Sequence, residues 1–138
     1  MPTPYLTFDG TTSEAFAFYA NVLGGKVEFL QTFGESPMKD DIPAEFHSRI
    51  MHATLKLPDG PLMASDAGPW APFDGAMQSC SLSLQFTDVD KARRIFDALA
   101  EGGSVGMPFG ETFWAAGFGM LTDRFGVKWM VNCEKPPS

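Results

Sequence analysis

The sequence is poor in the residues that most metal, redox and nucleic-acid sites require. It holds two cysteines and two histidines, and its 10 basic residues stand against 17 acidic ones, which gives a formal net charge of −7. Because nucleic acids and anionic membrane surfaces attract basic patches, we expect neither as a partner. Cys80 and Cys133 lack the spacing of a metal motif. We expect both to be small, reduced core residues, the alternative being a reactive thiol.

Long apolar runs are missing as well. No stretch of roughly 18 apolar residues occurs, so a membrane-spanning helix is not expected. The first residues also lack the basic and apolar segments of a secretory signal, and we therefore expect a cytoplasmic protein. What the chain does have is large apolar side chains, with 13 Phe and three Trp in 138 residues. These are enough to fill the core of one domain.

The second half of the chain repeats the first half. Residues 6–27 map onto residues 84–105 without a gap when 78 is added to each number. Residues 55–66 map onto residues 121–132 at an offset of 66, so the first copy carries about 12 extra residues near its middle. Such a repeat constrains the fold before any single element is considered. The matching residues are Phe8 with Phe86, Phe18 with Phe96, Gly24 with Gly102 and Gly25 with Gly103.

Each copy predicts a strand, a helix and three further strands. In both copies an apolar strand precedes turn residues, an amphipathic helix that ends at the Gly-Gly pair, and strands of which the last two form a hairpin. The first module covers residues 3–66 and the second covers residues 79–134, with a Gly- and Pro-rich linker at 67–78. Trp70 and Phe73 in that linker are interpreted as a lid over the cup or as a strap between the modules. Residues 34–49, present in one copy only, are expected to form a polar loop.

Alternation along the strands predicts which side chains face away from the helices. The helix-facing set is apolar, and the opposite faces mix aromatic, methionine and small polar side chains. A concave surface of this mixed character is typical of a small-ligand site, so the pattern indicates a half-open cavity. The residues predicted to face away from the helices are Tyr5, Thr7, His52, Thr54, Lys56, Leu62, Ala64 and Asp66 in the first module, and Ser81, Ser83, Gln85, Phe118, Met120, Thr122, Lys128, Met130 and Asn132 in the second.

Three segments carry a resemblance to a known family. Residues 4–10 with the helix after them look like the opening of a PhnB-like protein, residues 52–66 look like its middle, and residues 119–132 resemble its end. PhnB-like proteins belong to the vicinal oxygen chelate superfamily, with glyoxalase I, bleomycin-resistance proteins and extradiol dioxygenases. The resemblance implies the glyoxalase/bleomycin resistance fold, an α+β fold in which two tandem βαβββ modules form a cup-like, half-open mixed sheet. It also implies a homodimer with its site in the cup.

The resemblance further implies where a metal ion would bind. Metal enzymes of the superfamily hold a divalent ion with one His or Glu from the first and last strand of each module, and these places fall near Thr3, Ala64, Ser81 and Met130. None of the four is a His or a carboxylate, so we expect no metal ion and no other cofactor. Some relatives are labelled 3-demethylubiquinone methyltransferases, but the sequence has no Gly-rich nucleotide loop after a strand.

His52 is the best candidate for a catalytic residue. An imidazole on a cavity face could act as a general base or hydrogen-bond a ligand. The alternative is a structural histidine whose ring hydrogen-bonds to a neighbouring residue. Asp66 is interpreted as a cavity residue that pairs with Lys56 or Lys128 or binds a ligand, the alternative being a turn residue at a strand end. Asp123 is interpreted as a turn residue whose carboxylate bonds its own backbone, the alternative being a catalytic Asp.

Polar and aromatic side chains complete the predicted ligand-binding set. Ser81, Ser83 and Gln85 form a polar stripe on one face of a strand. The stripe indicates a wetted cavity, since buried polar groups without partners would cost about 1–3 kcal/mol each. Aromatic residues before the seventh strand line the cavity or pack a dimer interface. The whole set is Tyr5, Thr7, His52, Thr54, Asp66, Ser81, Ser83, Gln85, Trp114, Phe118, Met120 and Met130.

Three functions stay open at this point. The first is metal-independent binding of an unknown small molecule. The second is a lyase, isomerase or oxygenase of the superfamily with an atypical site. The third is a structural or partner-binding module whose cup is filled by its own side chains. For each of them we expect a homodimer.

Overall fold

The computed structural model describes residues 3–58, 60–69, 73, 75 and 80–136 of the chain. The chain divides into two compact units, Met1–Gly75 and Ala76–Ser138. The division lies inside the predicted linker at 67–78, and the described residues of each unit form one α-helix and one four-stranded sheet. Trp70, which the sequence places in the linker, and Ser79, where the second module was predicted to begin, lie outside the described residues.

The first unit forms a βαβββ module. Its elements are β1 (Tyr5–Phe8), α1 (Thr12–Leu23), β2 (Lys26–Thr32), β3 (Ile50–Leu57) and β4 (Gly60–Asp66), with three 3₁₀ turns between β2 and β3 (Phe33–Glu35, Lys39–Asp41 and Ala44–Phe46). The strand order is β1-β4-β3-β2, with β1 parallel to β4 and the other neighbours antiparallel. Helix α1 covers one side of the sheet and buries Ala15, Phe16 and Tyr19.

The second unit repeats this arrangement. Its elements are β5 (Leu82–Phe86), α2 (Val89–Ala100), β6 (Ser104–Gly110), β7 (Ala115–Thr122) and β8 (Lys128–Glu134), and its strand order is β5-β8-β7-β6. The Asp88 carboxylate caps α2 by accepting hydrogen bonds from the backbone N–H groups of Asp90 and Lys91. The predicted fold of tandem βαβββ modules is confirmed. Within the described part of the chain, neither helix is long and apolar enough to cross a membrane.

The repeated Gly-Gly pair follows each helix and lets the chain pass close to its sheet. Gly24 is the C-cap of α1, whereas α2 ends at Ala100 with Glu101 as its C-cap, one residue before the second pair. Gly24 and Gly102, the first glycines of the two pairs, have positive φ angles of 72° and 78°, a conformation that residues with a side chain adopt at a cost. The second glycines, Gly25 and Gly103, lie against the backbone of the third strand of their modules. A Cβ on Gly25 would lie 2.6 Å from the carbonyl oxygen of Lys56. The positive φ angle therefore favours glycine at the first position of each pair. The close approach of the third strand leaves no room for a side chain at the second position.

The faces predicted for β4 are reversed. Ala64 pairs with Leu6 of β1, and Leu62 pairs with Leu55 of β3. These residues are buried under α1 together with Asp66, so the prediction that Leu62, Ala64 and Asp66 face away from the helix is wrong. The β4 residues that do face away are Met63 and Ser65.

A one-residue difference between two hairpins explains the reversal. The paired residues Leu55 and Leu62 enclose six residues, whereas the equivalent pair of Leu121 and Trp129 encloses seven. A shift of one residue turns every side chain of a strand to the opposite face of its sheet. The last strands of the two modules therefore align at an offset of 67, one more than the third strands.

The chain between β2 and β3 is a folded loop. Phe33, Ser36 and Ile42 are buried. Nε2 of His47 lies 3.0 Å from the carbonyl oxygen of Lys39 and 2.9 Å from that of Ile42. Because both partners are acceptors, Nε2 carries the proton and donates it to them. The half-buried His47 therefore ties together two of the 3₁₀ turns.

Candidate functional site

The first helix-free face is the side of the first sheet that points away from α1, and it is formed by Tyr5, Thr7, Phe29, His52, Thr54, Met63 and Ser65. On this face His52 joins two hydroxyl groups. The Tyr5 hydroxyl lies 3.1 Å from Nδ1 of His52, and the Thr54 hydroxyl lies 3.2 Å from Nε2. Three residues predicted from the sequence thus form one hydrogen-bonded chain, although β4 lies between the strands that carry them.

This hydrogen-bonded chain can run in either direction. A neutral imidazole has one donor and one acceptor nitrogen, and a hydroxyl can both donate and accept. With the proton on Nε2 of His52, Thr54 accepts and Tyr5 donates to Nδ1. With the proton on Nδ1 the roles reverse, and the Tyr5 hydroxyl hydrogen is free to donate to another group. The site can therefore offer a ligand either an acceptor or a donor.

Apolar side chains surround the polar chain. The rings of Tyr5 and Phe29 have their centroids 5.7 and 5.9 Å from the His52 ring. Met63 lies opposite Tyr5 on one neighbouring strand and opposite Thr54 on the other. Tyr5 and Phe29 are 49% and 47% exposed, so a ligand can reach them. The sequence missed Phe29 because a bulge in β2 sets its face, and it missed Met63 because of the hairpin shift.

Asp66 does not reach the first helix-free face, so its interpretation as a cavity residue is wrong. Its carboxylate accepts hydrogen bonds from the backbone N–H and hydroxyl of Thr12 and from the backbone N–H of Ile50. It therefore holds the start of α1 and the start of β3. Its expected place on the face is taken by Ser65, which pairs with the exposed Thr7.

The second helix-free face is the side of the second sheet that points away from α2, and it is formed by Ser83, Gln85, Phe118, Met120, Met130 and Asn132. Its polar groups form a ladder. Nδ2 of Asn132 donates to Oε1 of Gln85 at 2.8 Å, and Nε2 of Gln85 donates to Oγ of Ser83 at 2.9 Å. Asn132 therefore extends the predicted polar stripe beyond Ser83 and Gln85. Ser81, which was also predicted to belong to the stripe, precedes β5 and is exposed.

Aromatic and methionine side chains lie beside the ladder. The Trp114 ring meets the Phe118 ring edge-on at 5.4 Å, and the Phe113 ring meets Trp114 at 4.9 Å. Met120 lies opposite Met130 in the register of β7 and β8. Four predicted ligand-binding residues, Trp114, Phe118, Met120 and Met130, thus border this part of the second sheet.

The donor groups of the two helix-free faces do not fit a divalent metal ion. The first face has one imidazole, that of His52, and no carboxylate, and the second face has amides, thioethers and one hydroxyl. Of the predicted metal positions, Ala64 is buried under α1 and Met130 offers a thioether alone. Divalent sites in proteins need several imidazole, thiolate or carboxylate ligands. Residues 3–58, 60–69, 73, 75 and 80–136 contain no group of three or more His, Cys, Asp or Glu that could hold a metal ion.

The two units define a class of protein, that of paired βαβββ modules with the glyoxalase/bleomycin resistance fold. A PhnB protein from Bacillus cereus is similar with a TM-score of 0.80 and 22% identity, over 96% of this chain and 98% of that one. A glyoxylase/bleomycin resistance protein/dioxygenase domain from Frankia sp. EAN1pec is similar with a TM-score of 0.63 and 16% identity, over 98% and 97% of the two chains. At these identities the likeness shows the fold alone.

The family model described as 3-demethylubiquinone-9 3-methyltransferase matches residues 2–132, and the chain belongs to this PhnB-like family. Protein YjdN of Escherichia coli K12 is 37% identical over 141 residues, which cover 96% of this chain and 95% of YjdN. Protein PA1353 from Pseudomonas aeruginosa is 51% identical, with a TM-score of 0.89 over 99% of this chain and 98% of that one. The resemblance inferred from the sequence is confirmed.

Proposed function

We propose that this protein binds a small organic molecule on its first helix-free face, without a resident metal ion. The observation that carries the proposal is the hydrogen-bonded chain of Tyr5, His52 and Thr54 on an exposed part of the sheet. A few converging polar groups within an apolar surround are the usual composition of a small-molecule site. The ligand class is a compact molecule with an aromatic or apolar body and one hydroxyl or carbonyl group.

The reversible hydrogen bonds of Tyr5, His52 and Thr54 explain why a ligand with a hydroxyl or carbonyl group is favoured. Because His52 can exchange its tautomers, the Tyr5 hydroxyl can donate to a ligand carbonyl or accept from a ligand hydroxyl without leaving a protein group unpaired. Phe29 and Met63 supply apolar contact beside it, and a thioether adapts easily to different shapes. Methyl transfer is not part of the proposal, because the sequence lacks a Gly-rich nucleotide loop after a strand.

Native mass spectrometry of the protein as purified tests the proposal. We expect a subunit mass raised by an organic ligand, with no stoichiometric metal ion. The His52→Leu variant should lose the ligand because it removes both ring nitrogens, whereas Asn21→Ala, on the exposed side of α1, should retain it. One tightly held divalent ion per subunit would overturn the metal-free reading, and full retention of the ligand by His52→Leu would overturn the site.

A fragment screen by NMR covers the case in which the protein purifies empty. Hydroxyl- and carbonyl-bearing aromatic fragments should shift the signals of Tyr5, His52 and Phe29 in the wild type and in Asn21→Ala, but not in His52→Leu. A screen in which no fragment shifts residues of this face would overturn the proposal.

A second candidate function is metal-independent acid–base catalysis at His52. The observation that favours it is the pair of hydroxyls held by the two imidazole nitrogens, since a proton arriving at one nitrogen can leave from the other. The His52→Gln variant separates this candidate from binding alone. Its amide keeps hydrogen-bonding capacity but does not carry a proton near neutral pH, so an enzyme would still bind its ligand and lose turnover.

We further infer that the protein is a homodimer in the cytoplasm. Phe113 and Trp114, on the turn before β7, are 89% and 49% exposed, and a projecting apolar pair of this kind often marks a protein interface. Both cysteines are free, as in a reducing compartment. Size-exclusion chromatography with light scattering should give the mass of a dimer, and Phe113→Ser should shift it toward monomer. A wild-type monomer at micromolar concentration would overturn the inference.

A further inference from the structure

The polar ladder of the second helix-free face ends in an atom that the protein does not satisfy. Asn132 donates to Gln85, which donates to Ser83. The remaining acceptor at the end of the ladder, Oδ1 of Asn132, is buried and has no hydrogen-bond partner among the described residues. Native proteins leave few buried polar atoms in this state, and a bound ligand or an ordered water is one way in which such an atom gains a partner.

Reversing the two amide groups does not remove this need. If Gln85 and Asn132 both turned over, the hydroxyl of Ser83 would donate to Gln85, and Gln85 would donate to Asn132. The amide nitrogen of Asn132 would then occupy the unpartnered position. In the arrangement that the structure shows, the missing partner is a donor.

The surroundings of Asn132 indicate what kind of molecule brings that donor. Phe118 lies directly opposite Asn132 in the register of β7 and β8, and Trp114 packs edge-on against Phe118. Trp114 is 49% exposed, so this aromatic pair can be reached from outside. An aromatic ring can pack on these side chains, and a ring N–H at its edge can satisfy the acceptor.

The first unit does not repeat this site. By strand register, Phe118 takes the place of His52, and Asn132 takes the place of Ser65. The second face therefore offers a fixed amide beside an apolar wall, whereas the first face offers a reversible imidazole chain. The two faces are suited to different chemical groups.

We propose that the second helix-free face binds the N–H edge of a nitrogen heteroaromatic molecule, which donates to Oδ1 of Asn132 while its ring packs on Phe118 and Trp114. Trp114 also belongs to the apolar pair assigned above to the dimer interface, but this site uses none of the residues of the ligand site proposed on the first face, so either binding proposal can fail without the other.

Indole and N-methylindole are matched probes for this proposal, because they share a ring shape and differ in the N–H donor. Each is titrated into the full-length, isotope-labelled chain while NMR follows the side-chain amides of Asn132 and Gln85 and the indole N–H of Trp114. We expect indole to shift these signals and to bind about tenfold more tightly than N-methylindole, a ratio typical of one hydrogen bond to a buried acceptor.

Two substitutions at Asn132 define the outcome. Asn132→Asp keeps an acceptor and should preserve the preference for indole, whereas Asn132→Leu should bind both probes equally. Asn21→Ala, at an exposed position of α1 in the other unit, should leave the preference unchanged. Equal binding of the two probes by the wild type would overturn the proposal even if a variant fails to fold. A preference that survives in Asn132→Leu, or shifts confined to residues outside the second face, would overturn it as well.

Discussion

Asp66 and Thr12 are joined by two hydrogen bonds that tie the last strand of the first unit to the start of its helix. Oδ1 of Asp66 accepts from the backbone N–H of Thr12 at 3.0 Å and from its hydroxyl at 2.7 Å. Oδ2 accepts from the backbone N–H of Ile50 at 2.8 Å. The Thr11 side chain makes no capping bond to α1, so a carboxylate distant in sequence takes the role of the helix cap.

Removing the Asp66 carboxylate should strongly destabilise the first unit. In Asp66→Ala three donors lose their acceptor at a site that is 3% exposed, so we expect the free energy of unfolding to fall by about 3 kcal/mol. Thr12→Val removes one of the three bonds and should cost about 1 kcal/mol. Chemical denaturation measures the change in the free energy of unfolding for both variants. The dependence of that free energy on denaturant concentration should stay the same as in the wild type. An Asp66→Ala variant within about 0.5 kcal/mol of the wild type would contradict this role.

The wrong face predicted for Asp66 shows which feature of the fold could not be predicted from the sequence. Alternation fixes a face only relative to neighbouring residues of the same strand, so the register of β4 had to come from the repeat. The hairpin before β8 is one residue longer than the hairpin before β4. An ungapped alignment therefore matched Asp66 with Asn132, whereas its structural equivalent is Cys133. Elsewhere the alternation held, as for Leu6 and Phe8, which are buried under α1.

The contacts within the candidate site depend on pairing that no local pattern encodes. Tyr5 meets His52 because β1 pairs in parallel with β4 and β4 pairs with β3, a long-range arrangement. Phe29 joins them because a bulge in β2 resets its face. Alternation was enough to place Tyr5 and His52 on the helix-free side. Their distance, and the role of Asn132 at the end of a ladder, required the sheet order.

The second glycine of each pair should tolerate no side chain. A Cβ on Gly103 would overlap the carbonyl oxygen of Thr122, so we expect Gly103→Ala to lower the free energy of unfolding by about 2–3 kcal/mol. Gly106→Ala, three residues further along in β6, is the matched control, because its Cβ would lie 3.7 Å from the nearest atom. It should change the stability by less than about 1 kcal/mol. Equal stabilities of the two variants would contradict the clearance argument.

Asp123 should stabilise the second unit through three hydrogen bonds. Its carboxylate accepts from the backbone N–H groups of Phe125 and Val127 at 2.9 and 3.0 Å and from the indole N–H of Trp129 at 2.9 Å. The interpretation of Asp123 as a turn residue agrees with these bonds. Asp123→Ala should lower the free energy of unfolding by about 3 kcal/mol, because these donors are left in a buried site. Asp97→Ala, at an exposed position of α2, is the control and should change it by less than about 0.5 kcal/mol.

Hydrogen exchange at Trp129 gives a second measure of the same bonds. The indole N–H should exchange faster in Asp123→Ala than in Asp97→Ala under conditions where both variants are folded, because the acceptor that protects it is gone. An unchanged exchange rate would mean that another group accepts a hydrogen bond from the indole N–H of Trp129.

The two cysteines should differ sharply in reactivity. Cys80 is exposed and Cys133 is buried. Burial raises the pKa of the Cys133 thiol, and the nearby carboxylates of Asp88 and Glu134 raise it further. Since the thiolate is the reactive form, iodoacetamide should modify Cys80 at least about 100-fold faster than Cys133 at pH 7. Mass spectrometry of Cys80→Ser and Cys133→Ser separates the two rates.

The same pKa shift predicts how stability changes at alkaline pH. A folded-state pKa above the unfolded one means that the unfolded chain releases the Cys133 proton first, so the contribution of the thiol is fully present below the unfolded pKa and is lost as the pH rises through the folded pKa. Cys133→Ala should therefore show a smaller loss of stability between neutral and alkaline pH than the wild type, with Cys80→Ser as the control. Identical pH profiles for Cys133→Ala and the wild type, or rapid native-state labelling of Cys133, would contradict the burial of this thiol in the second unit.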